Sequence, residues 1–169
     1  MDKSQEFHTV RGYQLLDQDK KLLTSAMEDY LEMIYRNILS EGYMRINTLS
    51  QLLNVRPSST TKMVQKLTRL GLLKYEKYGV ILMTDKGRDI GAFLLKRHDT
   101  IETFLKTIGI TDNILVETEL IEHNVSSDTL KCIEMLNTFF ISHEDLLNQF
   151  EKFKEENFNE KESKKEEYK

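Results

Sequence analysis

The one proline of this 169-residue chain, Pro57, stands where a helix would begin, and the residues around it constrain the fold most. Proline fixes φ and lacks an N–H, which costs nothing at the first position of a helix. Beyond it, Thr60, Val64, Leu67 and Leu70 recur at helical spacing, and Gly71 suits the end. Before it, Asn47 as cap with Leu49, Leu52 and Leu53 outlines a short helix, and Asn54-Val55-Arg56 makes a tight turn. After it, Leu73–Tyr75 and Val80–Met83 read as short strands around Lys77-Tyr78-Gly79. Helix, short helix, turn, helix, hairpin is the order of a winged helix-turn-helix.

The rest of the chain predicts helices. Seven glycines and one proline leave few breakers. Ser25 and Glu28 fit a capping box at the head of a helix carrying Met27, Leu31, Ile34 and Ile38, with Gly42 as its stop. Thr84 or Asp85 opens a long helix that Gly109 closes, Thr111 or Asp112 caps another through His123, and Ser127 or Asp128 caps one holding Leu130, Ile133, Leu136 and Phe140. A last amphipathic stretch, Leu146 to Phe158, runs into a charged tail expected to fray. The expected fold class is mostly α. The expected organisation is an N-terminal extension, arm or short helix, over 1–23, a winged helix-turn-helix domain over 24–96, a helical domain over 97–158 and a charged tail over 159–169.

Composition excludes several classes. No apolar run reaches the ~18 residues of a membrane span, and the polar start is no secretory signal. Cys132 is the single cysteine, so no intrachain disulfide or cysteine metal cluster is expected, and it reads as a small core residue beside Ile133 and Leu136. His8 and His143 read as surface residues. A cytoplasmic protein with no membrane partner and no small organic substrate is expected.

The net charge of −4 conceals a basic block. Between Tyr43 and Tyr78 seven cations face one acid, Glu76, giving this block +6 and the remainder −10. On the Pro57–Leu70 helix, Ser58, Thr61, Lys62, Gln65 and Arg69 share the side opposite the apolar stripe. Hydroxyls, an amide and cations are what meet base edges and phosphates. The candidate DNA contacts are Arg56, Ser58, Ser59, Thr61, Lys62, Gln65, Lys66 and Arg69 on or beside this helix, with Lys77 and Tyr78 on the wing. Tyr75 is expected to be partly core. The bland alternative is a solvated basic face; the helix-turn-helix order and the wing favour double-stranded DNA.

The acids carry a second pattern. Asp29 and Glu32 are one turn apart on the first helix, Glu119, Glu122 and His123 share a face of a later one, and His98 lies in the long helix between. Carboxylates stacked in one turn repel one another unless a cation sits among them, and an adjacent imidazole adds a nitrogen ligand. Taken singly, each group also fits a solvated face.

Five segments resemble the manganese transport regulators of the diphtheria toxin repressor family: Met27-Glu-Asp-Tyr-Leu-Glu32, Pro57-Ser-Ser-Thr-Thr-Lys-Met-Val-Gln-Lys-Leu67, Tyr75-Glu-Lys-Tyr78, Arg97-His98 and Ile121-Glu-His123. They fall in the family's order from about Leu23 to Phe140. The resemblance implies an N-terminal winged helix domain and a helical dimerisation domain, without the SH3-like domain of the iron-responsive branch. It implies the metal ligands Asp29, Glu32, His98, Glu119, Glu122 and His123, with Glu32 and Glu122 placed to bridge two ions per subunit. Where the iron-responsive branch has cysteine, this chain has Glu119. A set of oxygens and two imidazoles suits Mn2+, with Fe2+, Co2+ or Cd2+ as alternatives. Zinc prefers four tetrahedral ligands.

The resulting expectation is a non-enzymatic repressor, a homodimer whose affinity for a palindromic operator of manganese uptake genes rises with Mn2+ as corepressor. A metal joining both domains would restrict the spacing of the recognition helices to half-sites ~34 Å apart. One rival is a winged-helix regulator answering to Fe2+ or to a non-metal ligand. Another is a di-metal carboxylate enzyme, but the chain lacks the paired Glu-x-x-His motifs of that class.

Overall fold

A computed structural model describes residue 12 and residues 23–166, with side chains described as far as 157. The expectations for the extension over 1–23 and for His8 lie outside the described residues, apart from positions 12 and 23. The chain divides into two compact units, the first ending at Arg97 and the second beginning at His98.

In the first unit, α1 (Ser25–Glu41) buries Met27, Leu31, Ile34 and Ile38, together with Tyr30. Gly42 ends it in the left-handed region, φ 77°, where an L side chain is strained, and its N–H donates to the Ile38 carbonyl at 2.9 Å. β1 (Met44–Arg45) leads into α2 (Ile46–Leu52), and a turn with Asn54 at φ 50° leads into α3 (Pro57–Arg69). β2 (Leu73–Tyr75) and β3 (Val80–Met83) flank a 3-10 turn at Lys77–Gly79. The sheet is antiparallel in the order β1-β3-β2. Arg45 pairs with Val80, and Tyr75 with Ile81. Leu31, Ile34, Leu49, Val64, Leu67, Ile81, Ile90 and Leu94 are fully buried. Each such side chain contributes roughly 1.5–3 kcal/mol by leaving water.

The long helix α4 (Asp85–Thr107) starts in the first unit and ends in the second. Thr84 caps it: its hydroxyl oxygen accepts from the Gly87 N–H at 3.0 Å, and its O–H faces the Gly71 carbonyl at 2.8 Å. A Cβ at Gly87 would run into the Leu72 carbonyl oxygen, so only glycine lets the helix start this close to the sheet.

The second unit continues with α5 (Ile114–Glu122), α6 (Ser127–Ser142) and α7 (Glu144–Glu166). Its buried hydrophobics among the described residues are Ile101, Leu105 and Leu130. A buried polar contact joins α6 to α4, with the Asn137 amide donating to the Thr100 carbonyl at 2.9 Å. No described helix is long and apolar enough to cross a membrane.

Several boundaries correct the sequence reading. Thr24, not Ser25, is the cap of α1, and the Glu28 carboxylate accepts from Arg97 at 2.9 Å. Arg45 rather than Asn47 precedes α2, because the chain enters that helix straight from β1. Asn113, in the left-handed region at φ 55°, precedes α5 in place of Thr111 or Asp112. Ser126 caps α6 in place of Ser127 or Asp128, accepting from the Thr129 N–H at 3.2 Å. Cys132 is exposed: it lies about 200° around α6 from the buried Leu130. α7 stays helical to Glu166, well into the tail expected to fray, since the run from Asn159 to Glu166 holds neither glycine nor proline to break it.

Candidate functional site

The first unit presents one face of α3 to solvent. Thr60, Val64 and Leu67 have no exposed surface, whereas Ser58, Ser59, Lys62, Gln65, Lys66 and Arg69 are exposed on the far side. Thr61 is half-buried, its O–H bonded to the Pro57 carbonyl at 2.9 Å. Arg56 is exposed at the cap position. The first turn holds no acid, and Lys66 and Arg69 in the last turn complement the negative end of the helix dipole. A cleft of about 550 Å3, lined in part by Asn47, Gln51, Asn54 and Arg56, opens where α2 turns into α3.

On the wing, Lys77 is exposed and Tyr78 is 92% exposed, held in the left-handed region at φ 62° ahead of Gly79 at φ 74°. Tyr75, expected to be partly core, keeps 38% of its surface exposed. The sequence reading missed β1. That strand sets exposed Arg45 opposite Val80 on the far edge of the sheet, with its guanidinium 5.4 Å from the Tyr43 ring centre. Two residues show no alternation that could have announced it.

The acids of the first unit sit on α1. Asp29 is half-buried and Glu32 is buried. Glu32 Oε1 accepts from both Nε (2.9 Å) and Nη2 (2.8 Å) of Arg36 one turn on.

In the second unit the donors gather around Glu122, the last residue of α5, which is 1% exposed. His98 Nδ1 on α4 lies 3.3 Å from its Oε2, and His123 Nε2 lies 3.9 Å from its Oε1. Glu119, Glu122 and His123 each offer a ligand atom within 4.8 Å of the others, although Glu119 itself is exposed. A buried carboxylate is costly unless positive charge or hydrogen bonds compensate it. Here each of its oxygens faces an imidazole nitrogen, and a second carboxylate is within reach. Oxygen and nitrogen donors without sulfur fit a hard to borderline divalent cation. The structure thus brings together His98, Glu119, Glu122 and His123 within the second unit, and Asp29 and Glu32 on one helix of the first.

Comparison with known proteins bears on both units. Residues 22–81 match the iron dependent repressor N-terminal DNA binding domain, and residues 84–149 match the iron dependent repressor metal binding and dimerisation domain. The chain is 46% identical over 118 residues to the HTH-type transcriptional regulator MntR of Oceanobacillus iheyensis, covering 69% of this chain and 80% of that protein. It is 40% identical over 135 residues to MntR of Shouchella clausii, covering 79% and 94%. Among solved structures, the manganese regulator SloR superposes with a TM-score of 0.61 at 28% identity, over 69% of this chain and 55% of that one. T. acidophilum IdeR superposes with a TM-score of 0.57 at 28% identity, over 63% and 51%. The chain therefore spans about half the length of these two solved proteins.

A winged helix-turn-helix followed by a metal-binding, dimerising helical domain defines a metal-dependent transcriptional regulator. The chain belongs to the iron dependent repressor family, in its manganese transport regulator branch, and is a repressor of that type.

Proposed function

We propose that Mn2+ is the corepressor, and that a homodimer carrying it binds a palindromic operator in front of manganese uptake genes. The observation that carries the reading is Glu122, a buried carboxylate with imidazole nitrogens 3.3 and 3.9 Å from its two oxygens. The proposed ligands are Asp29, Glu32, His98, Glu119, Glu122 and His123, with two ions per subunit and with Fe2+, Co2+ or Cd2+ as alternatives. The resemblance to the family and the MntR relatives support this set.

A bound divalent cation supplies the positive charge that lets these carboxylates share one site. Glu122, His98 and His123 would hold such an ion with oxygen and nitrogen donors, and Asp29 and Glu32 on α1 would add further carboxylate oxygens. Metal binding is linked to DNA binding, and whichever state of the protein binds metal better gains in population. Couplings of this kind run to ~1–3 kcal/mol.

Contacts to bases and phosphates are assigned to Arg56, Ser58, Ser59, Thr61, Lys62, Gln65, Lys66 and Arg69, and on the wing to Lys77 and Tyr78. The exposure of all of them but the half-buried Thr61, and the absence of acids in the first turn of α3, support this. The dimer surface is assigned to α5 and α6, where Leu115, Val116, Leu120 and Met135 are more than half exposed. The domains are placed at 24–96 and 97–158, and the protein in the cytoplasm without a catalytic role. A gel-shift titration on the protein's own promoter with Mn2+, Fe2+ and Zn2+ in turn tests the reading. Operator binding that Mn2+ leaves unchanged would overturn it.

A further inference from the structure

One contact at the α1 acids is left over from this scheme. Glu32 is 8% exposed, yet one of its oxygens already has a cationic partner. Arg36 turns both Nε and Nη2 onto Oε1, at 2.9 and 2.8 Å, from one helical turn away. The Arg36 side chain keeps 38% of its surface exposed, against 10% for that of Glu32, so the cationic partner is the more accessible of the two.

We propose that Arg36 is a built-in competitor of the divalent cation at Glu32 and so sets the Mn2+ concentration at which the protein responds. The inference rests on Glu32 being a metal ligand. The guanidinium neutralises the carboxylate and occupies Oε1. A cation coordinated by this carboxylate would either sit beside a fixed positive charge or have to displace Arg36. Both routes weaken binding, the first by like-charge repulsion and the second by loss of a charge-assisted hydrogen-bond pair. An opposite role is also physically available, since a hydrogen bond to a ligating carboxylate can steady it. That role fits a neutral donor better than a full cation with two N–H groups on the ligand oxygen.

The test is calorimetric titration of the full-length chain with Mn2+ alone, on wild type, Arg36→Met and Arg36→Lys. Methionine keeps the length and removes the charge. Lysine keeps the charge and loses the fork. Competition predicts that Arg36→Met tightens Mn2+ binding about tenfold, the factor that ~1.4 kcal/mol produces, with Arg36→Lys closer to wild type. In chelator, Arg36→Met should melt no higher than wild type, because its gain requires the cation. Wild type that takes up Mn2+ while Arg36→Met binds it equally or more weakly overturns the competitor role and leaves the functional reading standing. Wild type that takes up no Mn2+ overturns the functional reading and this inference with it.

Discussion

The two units handle apolar surface differently. The first closes a core: α1, α2, α3 and the sheet pack Leu31, Ile34, Leu49, Val64, Leu67 and Ile81 without residual exposure, although Leu39 and Leu52 stay more than half exposed. The second displays apolar surface, with Leu115, Val116, Leu120, Met135 and Ile141 more than half exposed and few hydrophobics buried among its described residues. Beside them it buries polar side chains, namely His98, Thr100, Thr118, Glu122 and Asn137. A unit with a closed core owes its stability to its own packing. A unit with buried donors and an exposed apolar face depends on what it binds, here a cation and a second copy. The first unit keeps a packed core, and under the proposed ligand set it also lends Asp29 and Glu32 to the cation.

The comparison can be broken most forcefully in the core of the first unit. Leu67→Ala removes a side chain with no exposed surface and should cost about 2–5 kcal/mol, as large-to-small core changes do. The loss should be the same in Mn2+ and in chelator, measured by denaturant unfolding. A loss that Mn2+ erased would show that the cation can stand in for the core packing of the first unit.

Glu122→Ala probes the second unit. Removing this carboxylate should weaken Mn2+ binding by about 100-fold or more, since even partners of a ligand are worth ~10–100-fold. In chelator the protein should melt no lower than wild type, because a desolvated negative charge goes with it. Calorimetry that finds unchanged Mn2+ sites in the variant would remove Glu122 from the centre.

A smaller effect is expected at the DNA face of the first unit. Lys62→Ala and Gln65→Ala should each weaken operator binding by about 1–3 kcal/mol at most and leave Mn2+ affinity unchanged. Loss of a phosphate contact at Lys62 should also flatten the salt dependence of binding. Full-strength specific binding by the double variant would take α3 out of the groove.

What the sequence disclosed follows the range of the interactions involved. The α3 stripe was legible because Pro57 marks its start and Thr60, Val64 and Leu67 keep the helical period. The helix-turn-helix order and both wing strands followed from local signals too. The cap of α1 was not legible, because Glu28 finds its partner in Arg97, 69 residues away. β1 was not legible because a two-residue strand exists only through its pairing with β3. Cys132 was misplaced because Ile133 and Leu136 suggested a buried face, whereas the buried residues of α6 are Leu130 and Asn137. Among the candidate metal donors, helical spacing put Glu119, Glu122 and His123 on one face. The approach of His98 to Glu122 is a tertiary contact that no local pattern encodes.

The finest distinction concerns Glu119, the one exposed member of the donor group in the second unit. Its exposure makes it the least costly of the proposed ligands to change and the best place to alter selectivity without disturbing the fold. Glu119→Cys exchanges a hard oxygen donor, ionised at neutral pH, for a soft thiolate that must first lose a proton from a free pKa of about 8.5. Mn2+ binds most weakly in the first-row series and is least able to drive that loss. Mn2+-dependent operator binding should weaken by about tenfold, while the Fe2+-dependent binding, measured anaerobically, should weaken less. If Glu119 is only a solvated acid on the surface of α5, both activation curves will coincide with those of wild type, and the centre in the second unit will reduce to His98, Glu122 and His123.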